Sequence, residues 1–171
     1  FLTAVELDNN TIGEKGAIAL AEAFALHGDL ETVTLSNNRI GDAGAAALAK
    51  TLASLTKLKI LKLDNTDIGP EGAQVLAKQL ATLKGLEELT LHENRIGDDG
   101  VLALSQHLFG LTALSRLTLN DNQIGDIGVQ ALAKGIASLT GLRELYLSNN
   151  RIEDTGALAL AEEITKLKGL E

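Results

Sequence analysis

Residues 35–50 read LSNNRIGDAGAAALAK. Two asparagines, two glycines and an aspartate separate an apolar run from an alanine-rich helical pattern. Such a stretch holds calcium or phosphate in some proteins and is a bend in a scaffold in others. Its recurrence decides between them. Residues 5–24 read VELDNNTIGEKGAIALAEAF, residues 33–52 VTLSNNRIGDAGAAALAKTL and residues 117–136 LTLNDNQIGDIGVQALAKGI. Leu2, Leu30, Leu58, Leu86, Leu114, Leu142 and Leu170 mark a period of 28 with no insertion. The period divides the chain into six units, 2–29, 30–57, 58–85, 86–113, 114–141 and 142–169, plus the start of a seventh. A strict period of this size is the mark of a solenoid and outranks any local motif.

Each unit has two halves. Its first six positions follow L-x-x-L-x-L, as in Leu30, Val33 and Leu35. The alternation of the last two suits a strand with one buried face. Position nine is Asn10, Asn38, Thr66, Asn94, Asn122 and Asn150, and position eleven is always Ile. Positions 13–25 then take helical spacing. Ala45, Leu48, Ala49 and Leu52 fall on one stripe. Asp42, Asp98, Asp126 and Asp154 stand at the helix start, where a carboxylate caps or meets the positive dipole end. Pro70 takes that place in the third unit. A strand–helix unit of 28 residues cannot bury both apolar faces alone, but stacking does so. Strands stack at roughly 4.8 Å and helices at roughly 8–10 Å. The mismatch bends the stack into an arc with strands inside. The expected fold is an α/β solenoid with parallel strands on the concave face and helices on the convex face.

This pattern, L-x-x-L-x-L-x-x-N-x-I-G-D-x-G-x-x-x-L, resembles the leucine-rich repeat family. It is most similar to the ribonuclease-inhibitor-like subclass, which includes ribonuclease inhibitor, the Ran GTPase activator and the repeat domains of NLR immune receptors. The resemblance covers essentially the whole chain. It implies a horseshoe that binds proteins on its concave face and rim. Two departures stand out. Ribonuclease inhibitor is cysteine-rich and this chain has no cysteine, and Thr66 replaces the pattern's asparagine.

Composition excludes several classes. The formal charge of −8 argues against a general nucleic-acid surface. No apolar run approaches the roughly 18 residues of a membrane span. Zero cysteines exclude disulfides and thiolate metal sites and fit a reducing, cytoplasmic setting. No cofactor is expected. The calcium reading of residues 120–125 fails because Ile124 takes a ligand position. The phosphate reading of Gly41-x-x-Gly44 lacks the lysine and spacing of a P-loop. The turn carries buried backbone groups instead. An Asn amide, with two donors and two acceptor lone pairs, can satisfy them in its own repeat and the next. The stretch is therefore a bend, with Asn10, Asn38, Asn94, Asn122 and Asn150 as a structural ladder. Gly44 and its equivalents suit close packing on the first helical turn. Position twelve, Gly in five repeats but Glu153 in the sixth, is expected not to need positive φ.

Function is sought on strand positions two, three, five, seven and eight, which are expected to be exposed. Along the columns charges alternate in sign, as in Glu88, Arg116 and Glu144, which avoids repulsion between neighbouring strands. Column seven, Asp8, Ser36, Asp64, His92, Asn120 and Ser148, contains serine, aspartate and histidine. A triad needs His between Ser and the acid, and here Asp64 lies between Ser36 and His92. Catalysis is rejected, and His92 with Asp64 reads as a pH-sensitive or simply solvated pair. His27 replaces a leucine found in the other five repeats and reads as a packed end-repeat variant. Tyr146, beside Thr118, is the one aromatic on the strand face and the best single anchor. Asn9-Asn10-Thr11 forms a glycosylation sequon by chance.

The leading expectation is a non-enzymatic protein-interaction scaffold. Its partner is of unknown identity and is neither nucleic acid nor membrane. Ile60, Lys62, Glu88, Thr90, His92, Arg116, Thr118 and Tyr146 are the candidate contacts. Two alternatives follow from the resemblance: a GTPase-activating module, or a regulatory repeat block of a larger receptor. The terminal repeats offer no recognisable cap, so a longer array or end-to-end association of copies is also expected.

Overall fold

The computed structural model describes residues 1–167. The expected start of a seventh repeat falls outside them. Strands and helices alternate: β1 (Ala4–Glu6), α1 (Glu14–Phe24), β2 (Thr32–Thr34), α2 (Gly41–Leu52), β3 (Ile60–Lys62), α3 (Pro70–Leu80), β4 (Glu88–Thr90), α4 (Gly97–His107), β5 (Arg116–Thr118), α5 (Asp126–Ile136), β6 (Glu144–Tyr146) and α6 (Asp154–Ile164). A 3₁₀ turn, Leu108–Gly110, follows α4. The strands form one parallel sheet in chain order. Val5 lies beside Val33, Leu61, Leu89, Leu117 and Leu145 in one row. The chain is an α/β solenoid with strands on one face and helices on the other.

The core lies between these two layers. The leading leucines Leu30, Leu58, Leu86 and Leu114 are fully buried, as are Ile40, Ile68, Ile96 and Ile124 in the turns. The stripe Ala45, Leu48, Ala49 and Leu52 faces inward as its spacing demands. Gly44 sits where a Cβ would lie 2.6 Å from Ile40 Cγ2 and 2.8 Å from Ala17 Cβ. Adjacent helices therefore touch along a glycine column, which larger residues would push apart.

The asparagine ladder ties neighbouring turns together. Asn38 Nδ2 donates to Leu35 O and to Leu7 O, both at 2.9 Å. Asn94 Nδ2 donates to Leu91 O at 3.0 Å and Leu63 O at 2.8 Å. Asn94 Oδ1 accepts from Thr66 N and Ile68 N at 3.1 and 3.0 Å. Asn122 and Asn150 reach back likewise, to Leu91 O and Leu119 O. The partners lie in the preceding repeat rather than the next, which corrects the expected direction. Asn10 bonds only within its own turn and is exposed. Thr66, fully buried, is too short to reach back, and its hydroxyl donates to Leu63 O at 2.7 Å.

The helix-start aspartates also act across the stack. None makes a capping bond in its own helix. Asp42 Oδ1 accepts from Gly69 N at 2.7 Å and Gly72 N at 3.0 Å, and so caps α3. Asp98 does the same for α5 through Gly125 and Gly128. The carboxylate thus meets the positive end of the neighbouring helix.

The turns of repeats two to five alternate in conformation. Position eight is left-handed in all six repeats, from Asn9 to Asn149. Position twelve takes positive φ at Gly41 (65°) and Gly97 (60°), against the sequence expectation. It is extended at Gly13, Gly69, Gly125 and Glu153. The reason lies in the neighbouring repeat. Gly41 N donates to Thr66 O and Gly97 N to Asn122 O, both at 2.9 Å, which turns the chain at that point. In the third and fifth repeats the left-handed residue is instead Asp67 or Gln123 at position ten.

Two substitutions test this packing. Asn94→Ala removes the partners of buried turn groups and is expected to cost about 1–3 kcal/mol, while Thr66→Asn is neutral or stabilising. Chemical denaturation midpoints check both, and an unshifted midpoint for Asn94→Ala would contradict the ladder. Gly44→Ala separates packing from helix propensity. Propensity alone favours alanine by about 1 kcal/mol, whereas the close contact predicts a loss of about 1–3 kcal/mol.

Candidate functional site

The strand face carries the candidate contacts. Repeat stacking sets equivalent side chains side by side, so residues far apart in sequence meet. Arg116 lies at the centre of the main cluster. Its Nε donates to Glu144 Oε2 at 2.6 Å and its Nη2 to Glu144 Oε1 at 3.1 Å. Its Nη1 donates to Glu88 Oε1 at 3.3 Å. Lys62 Nζ stands 3.1 Å from the same Glu88 oxygen. Tyr146 donates its hydroxyl to Glu144 Oε2 at 3.0 Å. Lys62, Glu88, Arg116, Glu144 and Tyr146 form one hydrogen-bonded and ion-paired row across β3 to β6, with two charges of each sign.

The row shifts its own titrations. The bonds to Glu144 and then Glu88 hold the Arg116 guanidinium above the ordinary arginine range. Bonds from Arg116, then Tyr146, hold the Glu144 carboxyl below its ordinary value. The Glu144 carboxylate in turn pushes the Tyr146 phenol up. Each of these three shifts favours the ionisation state that Arg116, Glu144 and Tyr146 ordinarily hold at pH 7, so the contacts reinforce the row's charges. Similar pairs line both edges of the strand face: Lys59 with Glu31 at 2.7 Å, and Arg95 with Asp67 at 3.3 Å.

The other candidates divide. Ile60 and Thr118 are half-buried and Tyr146 is exposed. Thr90 is not available: it is buried, and its hydroxyl donates to Asp64 Oδ2 at 2.7 Å. Thr34 and Ser36 are buried too, which corrects their expected exposure. The cause is a second carboxylate device. Asp8 accepts from Ser36 N at 2.6 Å and from the Thr34 hydroxyl at 2.9 Å. Asp64 accepts from His92 N at 2.7 Å, and Asn120 from Ser148 N at 2.7 Å. The carboxylate lies over the next strand and covers its hydroxyls. The sequence carried this signal, since Asp or Asn occupies column seven only in the first, third and fifth repeats.

His92 therefore does not pair with Asp64 through its ring. The imidazole lies 3.1 Å from Glu93 Oε1 through Nε2 and 3.4 Å from Asp121 Oδ2 through Nδ1. Asp64 spends its carboxylate on the His92 backbone N–H. His27 is exposed rather than packed, its imidazole lying outside the core that takes the equivalent leucines. Sequence reasoning also missed Phe109. It is 65% exposed in the 3₁₀ turn that follows α4, where four other repeats have alanine. Leu102 and Ile127 add an exposed apolar pair over a shallow groove between α4 and α5.

Among the described residues no helix is long and apolar enough to cross a membrane. No curated protein sequence matches the chain significantly. Solved structures share its fold. The actin-binding site 2 of leiomodin-1 superposes with a TM-score of 0.71 at 19% identity, over 92% of this chain and 91% of that one. The tropomodulin C-terminal domain of Caenorhabditis elegans gives 0.68 at 14% identity, over 86% and 92%. An internalin (inlF) of Listeria monocytogenes gives 0.61 at 23% identity, over 99% of this chain but 46% of its own. Residues 1–21, 29–49, 54–77 and 86–105 match the Leucine Rich repeat model, and residues 112–160 match the model of two Leucine Rich repeat copies. With these matches over most of its length, the chain belongs to the leucine-rich repeat family.

Proposed function

We propose that this chain is a non-enzymatic protein-interaction scaffold whose strand face, centred on Arg116 and Tyr146, receives a protein partner. The row Lys62–Glu88–Arg116–Glu144–Tyr146 carries the reading. Its side chains are already fixed by one another, so little ordering remains to be done on binding. Tyr146 is 44% exposed and anchored at its hydroxyl, which leaves the ring as an apolar contact with a polar tip. The ribonuclease-inhibitor-like subclass is part of the same proposal. The uninterrupted 28-residue period and a helix in every repeat support it.

Actin is the first partner to probe, because the leiomodin structure is named as an actin-binding site. At that identity the likeness shows fold alone, so actin serves as a probe beside proteins captured from the native source. Tyr146→Ala and Arg116→Ala are expected to weaken capture at least about tenfold and to leave the melting temperature nearly unchanged. Lys134→Glu, on the α4–α5 groove, is the control. Loss of capture only with Lys134→Glu would move the site to the helix face.

Association between copies is a separate proposal. Leu142, Leu145, Leu147, Leu160 and Ile164 line an apolar groove on the outward side of the sixth repeat. The outward side of the first repeat carries the matching row of Leu2, Val5 and Leu7. Every internal repeat joins its neighbour through the same two sides, so head-to-tail stacking is geometrically provided for. Light scattering on the 171-residue chain is expected to show mass rising with concentration. A constant monomer mass would exclude it.

A further inference from the structure

We propose that His92, Glu93 and Asp121 form a surface site for a divalent cation of the zinc type. They stand at positions seven and eight of the fourth repeat and position eight of the fifth. One donor atom from each lies within 4.8 Å of the others. None of the three belongs to the Arg116 row, so loss of cation binding and loss of partner capture by the Arg116 and Tyr146 variants are measured separately.

Two observations point to a ligand. The first is a break in the position-eight column. Asn37 Nδ2 donates to Asn9 Oδ1, and Asn65 Nδ2 to Asn37 Oδ1, both at 3.0 Å. Each amide both donates and accepts, so the column satisfies itself. Glu93 and Asp121 replace it with two adjacent acceptor-only groups, which repel each other. Among the described residues Asn149 donates to Asp121 Oδ2 at 3.3 Å, and His92 Nε2 lies 3.1 Å from Glu93 Oε1. The second is His92 Nδ1. This atom is buried and makes no hydrogen bond, although it faces Asp121. An orphaned nitrogen 3.4 Å from one carboxylate, with a second carboxylate 3.1 Å from the other ring nitrogen, is what a cation would relieve, by taking the lone pair and cancelling the carboxylates' repulsion.

The framework is preset. Asp64 holds the His92 N–H at 2.7 Å, and Glu93 N and Asp121 N donate to Asn120 O and Ser148 O at 3.0 Å. The Glu93 side chain is 52% exposed and can swing from Nε2 toward the Nδ1 side. One imidazole and two carboxylates suit zinc-type cations, and three protein ligands leave a position open to water or to a partner's side chain. Calcium and magnesium favour fuller all-oxygen shells.

Cobalt(II), whose visible spectrum reports coordination, and zinc, followed by calorimetry, are titrated into the full chain. One equivalent of each is expected to bind. His92→Ala and the double variant E93Q/D121N should each weaken binding at least about tenfold. His27→Ala, at an exposed histidine elsewhere, should change nothing. Circular dichroism melts confirm that each variant is folded. A cobalt spectrum identical to the free aqua ion would overturn the proposal, as would unweakened binding by either the His92→Ala or the E93Q/D121N protein.

Discussion

The structure depends on one constraint: every turn leaves buried backbone groups that its own repeat cannot satisfy. The buried asparagine side chains meet it. Asn38, Asn94 and Asn122 each reach one repeat back, so the turn of one unit is completed by the side chain of the next. A unit alone would strand these groups as well as its apolar faces, and cooperativity follows from both. The aspartate caps follow the same logic. Asp42 and Asp98 satisfy N–H groups of the following helix, so strand side and helix side are both stitched between units.

This stitching shapes the surface. Stacking in register makes like charges neighbours unless the sequence alternates them. Arg116 between Glu88 and Glu144 is that alternation made physical. Such exposed pairs add little stability. Their consequence is order: long side chains are held in one geometry, and Tyr146 stands above them. The five-residue row is itself neutral, with two charges of each sign. Strand positions two, three, five, seven and eight together carry nine acidic and four basic residues, so more than half of the net charge of −8 lies on this side of the molecule.

Period, strand positions, helix stripe and buried leucines were all legible in the sequence. They rest on side-chain periods of two and 3.6 and on a fixed repeat length, none of which needs tertiary information. The close-packed glycine column was legible for the same reason. The alternation of turn types was also written there and overlooked. In repeats two to five, Arg39 and Arg95 at position ten mark the turns with a left-handed glycine, and Asp67 and Gln123 mark the others.

Direction and choice of partner were decided only by tertiary structure. Columns show which residues are neighbours about 5 Å apart, but each side chain then has several groups within reach. Asp64 could have met the His92 ring and instead took its backbone N–H and the Thr90 hydroxyl, which removed Thr90 from the surface. The imidazole, left free, turned to Glu93 and Asp121 across the next turn. Gly41 and Gly97 needed positive φ, and Glu153 did not, because each donates to a different neighbouring repeat. Sequence by itself fixed the stacked architecture and the columns. Rotamers and the offset between adjacent repeats selected which pairs form, because those choices are made between units and not within one.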